Sequence, residues 1–190
     1  MGKFLRVDLS SGQLKEEKFS DEILRNFSGG RGLGVKILYD ELKPGIDPLS
    51  PENKICILTG PLTGTAAPES GRWCSVTKSP LTGTIHDSHS GGDFGPFMKF
   101  AGFDGVIFEG VSEKPVYLLL NNGNAELKDA SHVWGKDVFQ TTDILLKEVG
   151  GTNVRVACIG PAGENLVRFA NIMNEKHRAA GRGGHGAVLG

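Results

Sequence analysis

Residues 56–64 read CILTGPLTG and residues 157–165 read ACIGPAGEN. Each is a short apolar run with strand character that breaks at Gly-Pro and a further glycine. A buried strand followed by a tight loop is the reading for both. The two stretches lie about 100 residues apart, and their surroundings match as well.

Upstream of the first, "KFLRVDL" and "QLKEEKF" alternate in polarity on either side of "SSG", which predicts a hairpin over residues 3–19. Ser20 is a candidate N-cap for a helix in "DEILRNF". Glycines at 29–34 follow, and then "LGVKILYDEL", where Leu33, Ile37, Leu38 and Leu42 recur at helical spacing. Prolines and a glycine make "KPGIDPLSPENK" a loop. Upstream of the second stretch, "PVYLLLNNGNAELKDA" predicts a hairpin turned at Asn122–Gly123. "KDVFQTTDILLKEVG" predicts a helix stopped at Gly150 and Gly151.

Downstream the parallel continues. "RWCSVTKSP" (72–80) reads as a strand, and "VRFANIMN" (167–174) stands in its place. "GTIHDSHSGGDFGPFMKFAG" reads as a loop entering a short helix near Pro96–Phe100, and "DGVIFEG" is a strand. "EKHRAAGRGGHG" (175–186) is the matching glycine-rich loop, read as irregular to the end of the chain. The expected fold is α+β: two similar hairpin-helix-strand halves, about 1–112 and 113–190, forming a pseudo-two-fold base. The hairpin-rich order argues against a parallel dinucleotide-binding sheet.

Composition narrows the function. The formal net charge of −1 supplies no field for nucleic acid or a membrane surface. No apolar run approaches the ~18 residues of a membrane helix. "MGKFLRVDLSSG" lacks the apolar core of a secretion signal. Cys56, Cys74 and Cys158 are widely spaced, without a C-x-x-C pair, and read as buried thiols. A reducing cytoplasmic location is the expectation. There are 28 glycines in 190 residues, about twice the usual share of roughly 7%.

Glycine-rich loops free backbone N–H groups to converge on an anion. Arg178 and Arg182 in one loop, and Arg72 beside Gly71, add forked donors suited to phosphate. A phosphate-bearing cofactor between the loops is the natural reading. Neither "GRGLG" nor "GRGGHG" is a dinucleotide fingerprint, and no P-loop is present. Rival sites are weaker. His86, His89, His177 and His185 lack zinc-ligand spacing. Ser88 and Ser90 beside His89 lack a nucleophile elbow. Glu164 reads as a turn residue, Trp73 and Trp134 as core or rim aromatics, and Lys136 and Lys147 as solvated.

Four long stretches carry a resemblance: residues 48–83 (PLSPENKICILTGPLTGTAAPESGRWCSVTKSPLTG), 90–110 (SGGDFGPFMKFAGFDGVIFEG), 129–136 (DASHVWGK) and 159–190 (IGPAGENLVRFANIMNEKHRAAGRGGHGAVLG). Together they closely resemble the N-terminal domain of tungsten-dependent aldehyde ferredoxin oxidoreductases, and the likeness runs from Lys3 to Gly190. The "KSPLTG" wording is nearer to these than to the related benzoyl-coenzyme A reductase subunit. The resemblance implies a base of two similar α+β halves, across which two molybdopterin-type dithiolenes hold one tungsten or molybdenum. Ser90, Gly91 and Gly92, and Arg178, Ala179, Ala180, Gly181, Arg182 and Gly183, match its phosphate loops. A bridging Mg2+ would take the backbone carbonyls of His89 and Ala179. His89 departs from the Asn frequent in relatives, which a carbonyl ligand tolerates. Arg72 matches an arginine between pterin and a [4Fe–4S] cluster.

The implied chemistry is aldehyde oxidation to a carboxylic acid, with ferredoxin as electron acceptor. No catalytic residue falls on this chain. The cluster cysteines belong to later domains, so the chain reads as a fragment, or as a subunit that another chain completes, inactive alone; a homodimer is among the implied partners. Two other classes stay open from the residues: a non-catalytic pterin- or nucleotide-phosphate-binding domain, and an assembly subunit.

Overall fold

The computed structural model describes residues 2–190. Its largest element is a mixed sheet built from β1 (Phe4–Asp8), β2 (Gln13–Glu17), β3 (Lys54–Thr59), β4 (Trp73–Lys78), β5 (Ile85–Ser90) and β6 (Gly105–Glu109). The strand order is β2-β1-β6-β3-β4-β5. β1 and β6 run parallel, and every other neighbouring pair is antiparallel. Ile55, Cys56, Ile57 and Leu58 of β3 are all buried, because both faces of the sheet are covered.

The alternation of each strand assigns side chains to the two faces. Phe4, Cys56, Leu58, Cys74, Val76 and Ile107 meet Leu33, Ile37 and Leu38 of α2 (Gly30–Glu41). Leu5, Val7, Ile55, Ile57, Trp73 and Val106 face the other way and pack with Ile172 and Ala180 from the second half of the chain. Removing one such buried Leu or Ile side chain costs about 2–5 kcal/mol. α1 (Asp21–Phe27) is capped by Ser20, whose Oγ accepts from Ile23 N, as its sequence predicts.

The second half opens with the hairpin β7 (Val116–Asn121) and β8 (Asn124–Asp129). Its turn uses Asn122 at φ 48° and Gly123 at φ 82°, the left-handed pair that a two-residue hairpin demands. α4 (Val138–Val149) starts at Asp137, which accepts from Gln140 N, and stops at Gly150. A three-stranded antiparallel sheet follows, with order β11-β10-β9. Its strands are β9 (Ala157–Cys158), β10 (Ile172–Asn174) and β11 (Arg178–Ala180), with the single-turn α5 (Pro161–Glu164) after β9 and α6 (His185–Leu189) after β11.

Four sequence expectations are corrected. Ile85–Ser90 is an edge strand, not a loop; its inward side chains are His86, Ser88 and Ser90, polar residues that hide the alternation. Arg178–Ala180 is a strand and His185–Leu189 a helix, where irregular backbone was expected. The strands in "VRVACIG" and "VRFANIMN" shrink to two and three residues. The glycines at 30–34 lie inside α2. A Cβ on Gly34 would stand 2.6 Å from Val76 Cγ2, so this glycine lets helix and sheet approach rather than turn. In both halves the strand after Gly-Pro is flanked by antiparallel neighbours, β3-β4-β5 and β9-β10-β11. The halves differ elsewhere: β1–β2 joins the main sheet through β6, whereas β7–β8 forms a separate two-stranded sheet.

Around β1, Arg6 donates to Glu17, Glu41 and Glu109, and Lys54 pairs with Glu41 and Glu109. Burial alone would raise the Glu41 carboxyl. Hydrogen bonds from Arg6 and Lys54 outweigh it and hold the group below its ordinary value. A depressed carboxylate stabilises the fold above its unfolded value of about 4.3, and that contribution is lost as pH falls through the folded value. Glu41→Gln should therefore lower stability by about 1–2 kcal/mol at pH 7. Urea denaturation should show the difference from wild type shrinking as pH falls below about 4.3 and through the folded value.

Candidate functional site

β5 carries Ser88 and Ser90 inward, both almost fully buried, and lies alongside β11. An apolar edge would have packed there without direction. Hydroxyls need partners, and they find them on the second half. Ser90 Oγ donates to Asn174 Oδ1 at 2.6 Å, and Asn174 Nδ2 donates to the Gly91 carbonyl at 3.0 Å. Arg182 N donates to Ser88 Oγ at 3.1 Å, and Ser79 Oγ to the Gly183 carbonyl at 2.6 Å. Glu175 Oε1 accepts from Asp93 N at 2.6 Å and Phe94 N at 2.8 Å. The two glycine-rich loops, expected on grounds of sequence to share one ligand, are thus adjacent and joined.

Backbone freedom is used at two positions. Gly92 has φ 90°, and a Cβ there would lie 2.6 Å from Arg178 Cδ and against the Glu175 carboxylate. Gly183 has φ 77°, and a Cβ there would run into the His86 ring. Gly91 is looser: its Cβ would meet only Arg178 Nη1, at 3.4 Å. The N–H groups of Gly91, Gly92 and Gly181 have no protein acceptor among the described residues.

Arg72, Arg178 and Arg182 are exposed. The Arg72 and Arg182 guanidiniums have no protein partner among the described residues, and Arg178 Nε stands 3.8 Å from Glu175. The Arg72 carbonyl accepts from Thr63 Oγ1, and Gly71 beside it packs on the Gly92 carbonyl. His89 is exposed, with Nε2 2.8 Å from Asp87. Ala179 is half-buried opposite Met173, and Ala180 is fully buried in the core. Ala180 therefore offers only main chain to the outside.

The four histidines do not converge. His86 and His185 touch, His89 turns to Asp87, and His177 packs edge-on against Phe139. Among the described residues no three His, Cys, Asp or Glu side chains are placed to share a metal. Burial raises all three thiols, Cys74 to about 12 and Cys158 to about 11, so none is a ready ligand. Glu164 accepts from Gly135 N with both oxygens, a structural task. Trp73 is buried and Trp134 is exposed.

Sequence reasoning missed Asn174, Glu175, Ser79 and the Ser75–His185 pair. Asn174 and Glu175 stood in "NIMNEKH" with no periodicity to mark them. Their importance comes from long-range contact alone.

The sequence matches a known family. A family model described as aldehyde ferredoxin oxidoreductase, N-terminal domain, matches residues 4–190. The chain belongs to this family. It is 55% identical over 189 residues to the tungsten-containing aldehyde ferredoxin oxidoreductase of Pyrococcus furiosus, and 56% to that of Pyrococcus horikoshii. All of the chain is covered in both cases, and 31% of each relative. An aliphatic sulfonate oxidoreductase WOR-like subunit of Pyrococcus furiosus is 41% identical over 204 residues, covering all of the chain and 32% of that relative. The active-site complex BamBC of benzoyl coenzyme A reductase superposes with a TM-score of 0.96 at 40% identity, covering all of this chain and 29% of that one. The chain thus spans about a third of the length of its curated relatives.

Beneath the loops of this family member lies a buried relay. His185 is fully buried; its Nδ1 lies 2.6 Å from Ser75 Oγ and its Nε2 3.2 Å from His86 Nδ1. Burial, reinforced by the neighbouring His86, lowers the His185 imidazole to about 4. The unfolded chain takes up this proton near 6.5 and the folded chain does not, so stability falls as pH drops from about 6.5 to about 4. The shift corresponds to about 3 kcal/mol. Denaturant unfolding across that range should show the decline in wild type and a flatter profile in His185→Gln.

Proposed function

We propose that this chain is the cofactor-binding N-terminal part of a tungsten- or molybdenum-dependent oxidoreductase that oxidises aldehydes to carboxylic acids, with ferredoxin as electron acceptor. The observation that carries the reading is the joining of two glycine-rich loops through Asn174 and Glu175, beside unpaired guanidiniums. Unpartnered main-chain N–H groups and arginines at one seam fit an anionic group. The family membership and the 55% identity to a tungsten-containing enzyme support one choice of anion, the phosphate tails of two molybdopterin dithiolenes.

Ser90, Gly91 and Gly92 would hold one tail, and Arg178, Ala179, Ala180, Gly181, Arg182 and Gly183 the other. The carbonyls of His89 and Ala179 would be oxygen donors to an Mg2+ ion, a hard cation that favours such ligands. Arg72 borders the first loop and would steady negative charge there. The bound metal–dithiolene unit supplies the two-electron redox chemistry. This chain supplies binding, orientation and charge. With no side-chain metal set among the described residues, the soft first shell would come from the dithiolenes. A [4Fe–4S] cluster would be ligated elsewhere in the complete enzyme, since Cys56 and Cys74 are buried in the core beneath α2 and Cys158 belongs to a separate apolar cluster.

The two halves, about 1–112 and 113–190, arise in this reading from duplication, and one pseudo-two-fold base serves two pterins. The shared strand–Gly-Pro–strand–strand unit supports it. Remaining domains or a second chain would cover the cofactor, and the 190 residues alone would not turn over aldehyde. Three free thiols accord with a cytoplasmic site of action, and no helix is long and apolar enough to cross a membrane among the described residues. The aldehyde assignment is favoured over sulfonate or acyl-coenzyme A chemistry by 55% identity against 41% and 40%.

Arg178→Ala and Arg182→Ala should lower tungsten and pterin content of the complete enzyme. Both side chains are exposed, so unfolding free energy should move by less than about 1 kcal/mol. Unchanged metal and pterin content in both variants would refute the assignment.

A further inference from the structure

The connection between β10 and β11 is unusual. It is the three residues Glu175, Lys176 and His177, and the first two adopt left-handed backbone, φ 52° and 66°. Neither is Gly, Asn or Asp, the types that take this conformation readily. Backbone strain of this kind persists where the surroundings enforce it. Here the strained residue reaches out of its own half. Glu175 Oε1 accepts from the N–H groups of Asp93 and Phe94, at the start of α3 (Phe94–Phe100). Asp93 is the N-cap of α3 but makes no side-chain cap of its own. Its carboxylate pairs with Arg155 instead. The cap of a helix in the first half is therefore a carboxylate from the second.

Glu175 Oε2 lies against the position that a Gly92 side chain would fill, and Arg178 Nε stands 3.8 Å away. One carboxylate thus touches both ends of the seam: Gly92 with the residues after it, and Arg178 in the second loop. Asn174, immediately before it, holds Ser90 and Gly91.

We infer that Glu175 is a positioning residue: its carboxylate, presented by the strained β10–β11 turn, sets the Gly91–Gly92 main chain at the spacing from the second loop that a doubly anchored anion requires. The inference rests on the phosphate reading above. The carboxylate does not compete for the anion's donors, because it takes the Asp93 and Phe94 N–H groups and leaves those of Gly91 and Gly92. Charge repulsion would oppose phosphate, but the charge is engaged by two N–H donors and by Arg178.

The test titrates inorganic phosphate into the full 190-residue chain and follows the amide resonances of Gly91, Gly92 and Gly181. In wild type all three should move. Glu175→Ala should weaken the response of Gly91 and Gly92 about tenfold, equal to about 1.4 kcal/mol, and leave Gly181 near its wild-type affinity. Glu175→Gln keeps the length and an acceptor oxygen, and should restore most of the loss. If Glu175→Ala does not fold, Glu175→Asp, a carboxylate too short to reach both N–H groups, carries the comparison, with a weakening confined to the first loop as the expected result. A lowered Tm with unchanged affinity at Gly91 and Gly92 would make Glu175 merely structural and overturn the inference. So would tighter phosphate binding in Glu175→Ala, the mark of simple repulsion. No movement at either loop in wild type overturns the phosphate reading itself, and the inference with it.

Discussion

Asn174 is buried between the two halves of the chain and satisfies Ser90 with its carbonyl and Gly91 with its amide. A buried polar group left unpaired costs about 1–3 kcal/mol, so this side chain permits one arrangement of the loops and penalises others. Apolar contacts alone would not do this. Ile172 and Ala180 bind the second half to the sheet, but hydrophobic burial is non-directional. Position comes from the hydrogen bonds: Ser90 and Gly91 to Asn174, Arg182 to Ser88, Ser79 to Gly183, Asp93 and Phe94 to Glu175. The seam is hydrogen-bonded beneath and carries exposed arginines above, which suits the anion-binding surface proposed for it.

The rest of the fold serves that seam. β4 carries Arg72 at its approach and Ser75 in its middle, and β5 places Ser88 and Ser90 at the sheet edge. α6 returns His185 beneath the loops to Ser75 and His86. Gly92 and Gly183 stand where any side chain would collide with the opposite loop. The glycine excess has more than one cause, however. Gly34 and Gly105 are close-packing positions against Val76 and Leu58, remote in purpose from ligand binding.

Much of the framework was legible because it obeys local rules. The hairpins, the Ser20 cap, the Asn122–Gly123 turn, α4 with its Gly150 stop, and the buried β3 all carry period, cap or turn signals. The site was legible in part. Clustered glycines and arginines pointed to the two loops, and the repeated Gly-Pro unit suggested that they belong together. What could not be read was the strand identity of residues 85–90 and 178–180. Serines and alanines line their inner faces, and serine satisfies a buried edge by hydrogen bonding rather than by apolar contact. Glu175 was equally hidden, since a left-handed glutamate has no sequence signature. The conflict between residue type and backbone at Glu175–Lys176 is the kind of local inconsistency that marks a functional constraint.

In the proposed reading both loops grip one anionic cofactor together. Its most direct test is a crystal structure of the complete enzyme with its cofactor, the tungsten located by its anomalous scattering. The expected result is phosphate oxygens about 3 Å from donors of both loops, Gly91 or Gly92 on one side and Gly181, Arg182 or Gly183 on the other. Phosphates held by one loop alone, or seated away from both, would contradict it.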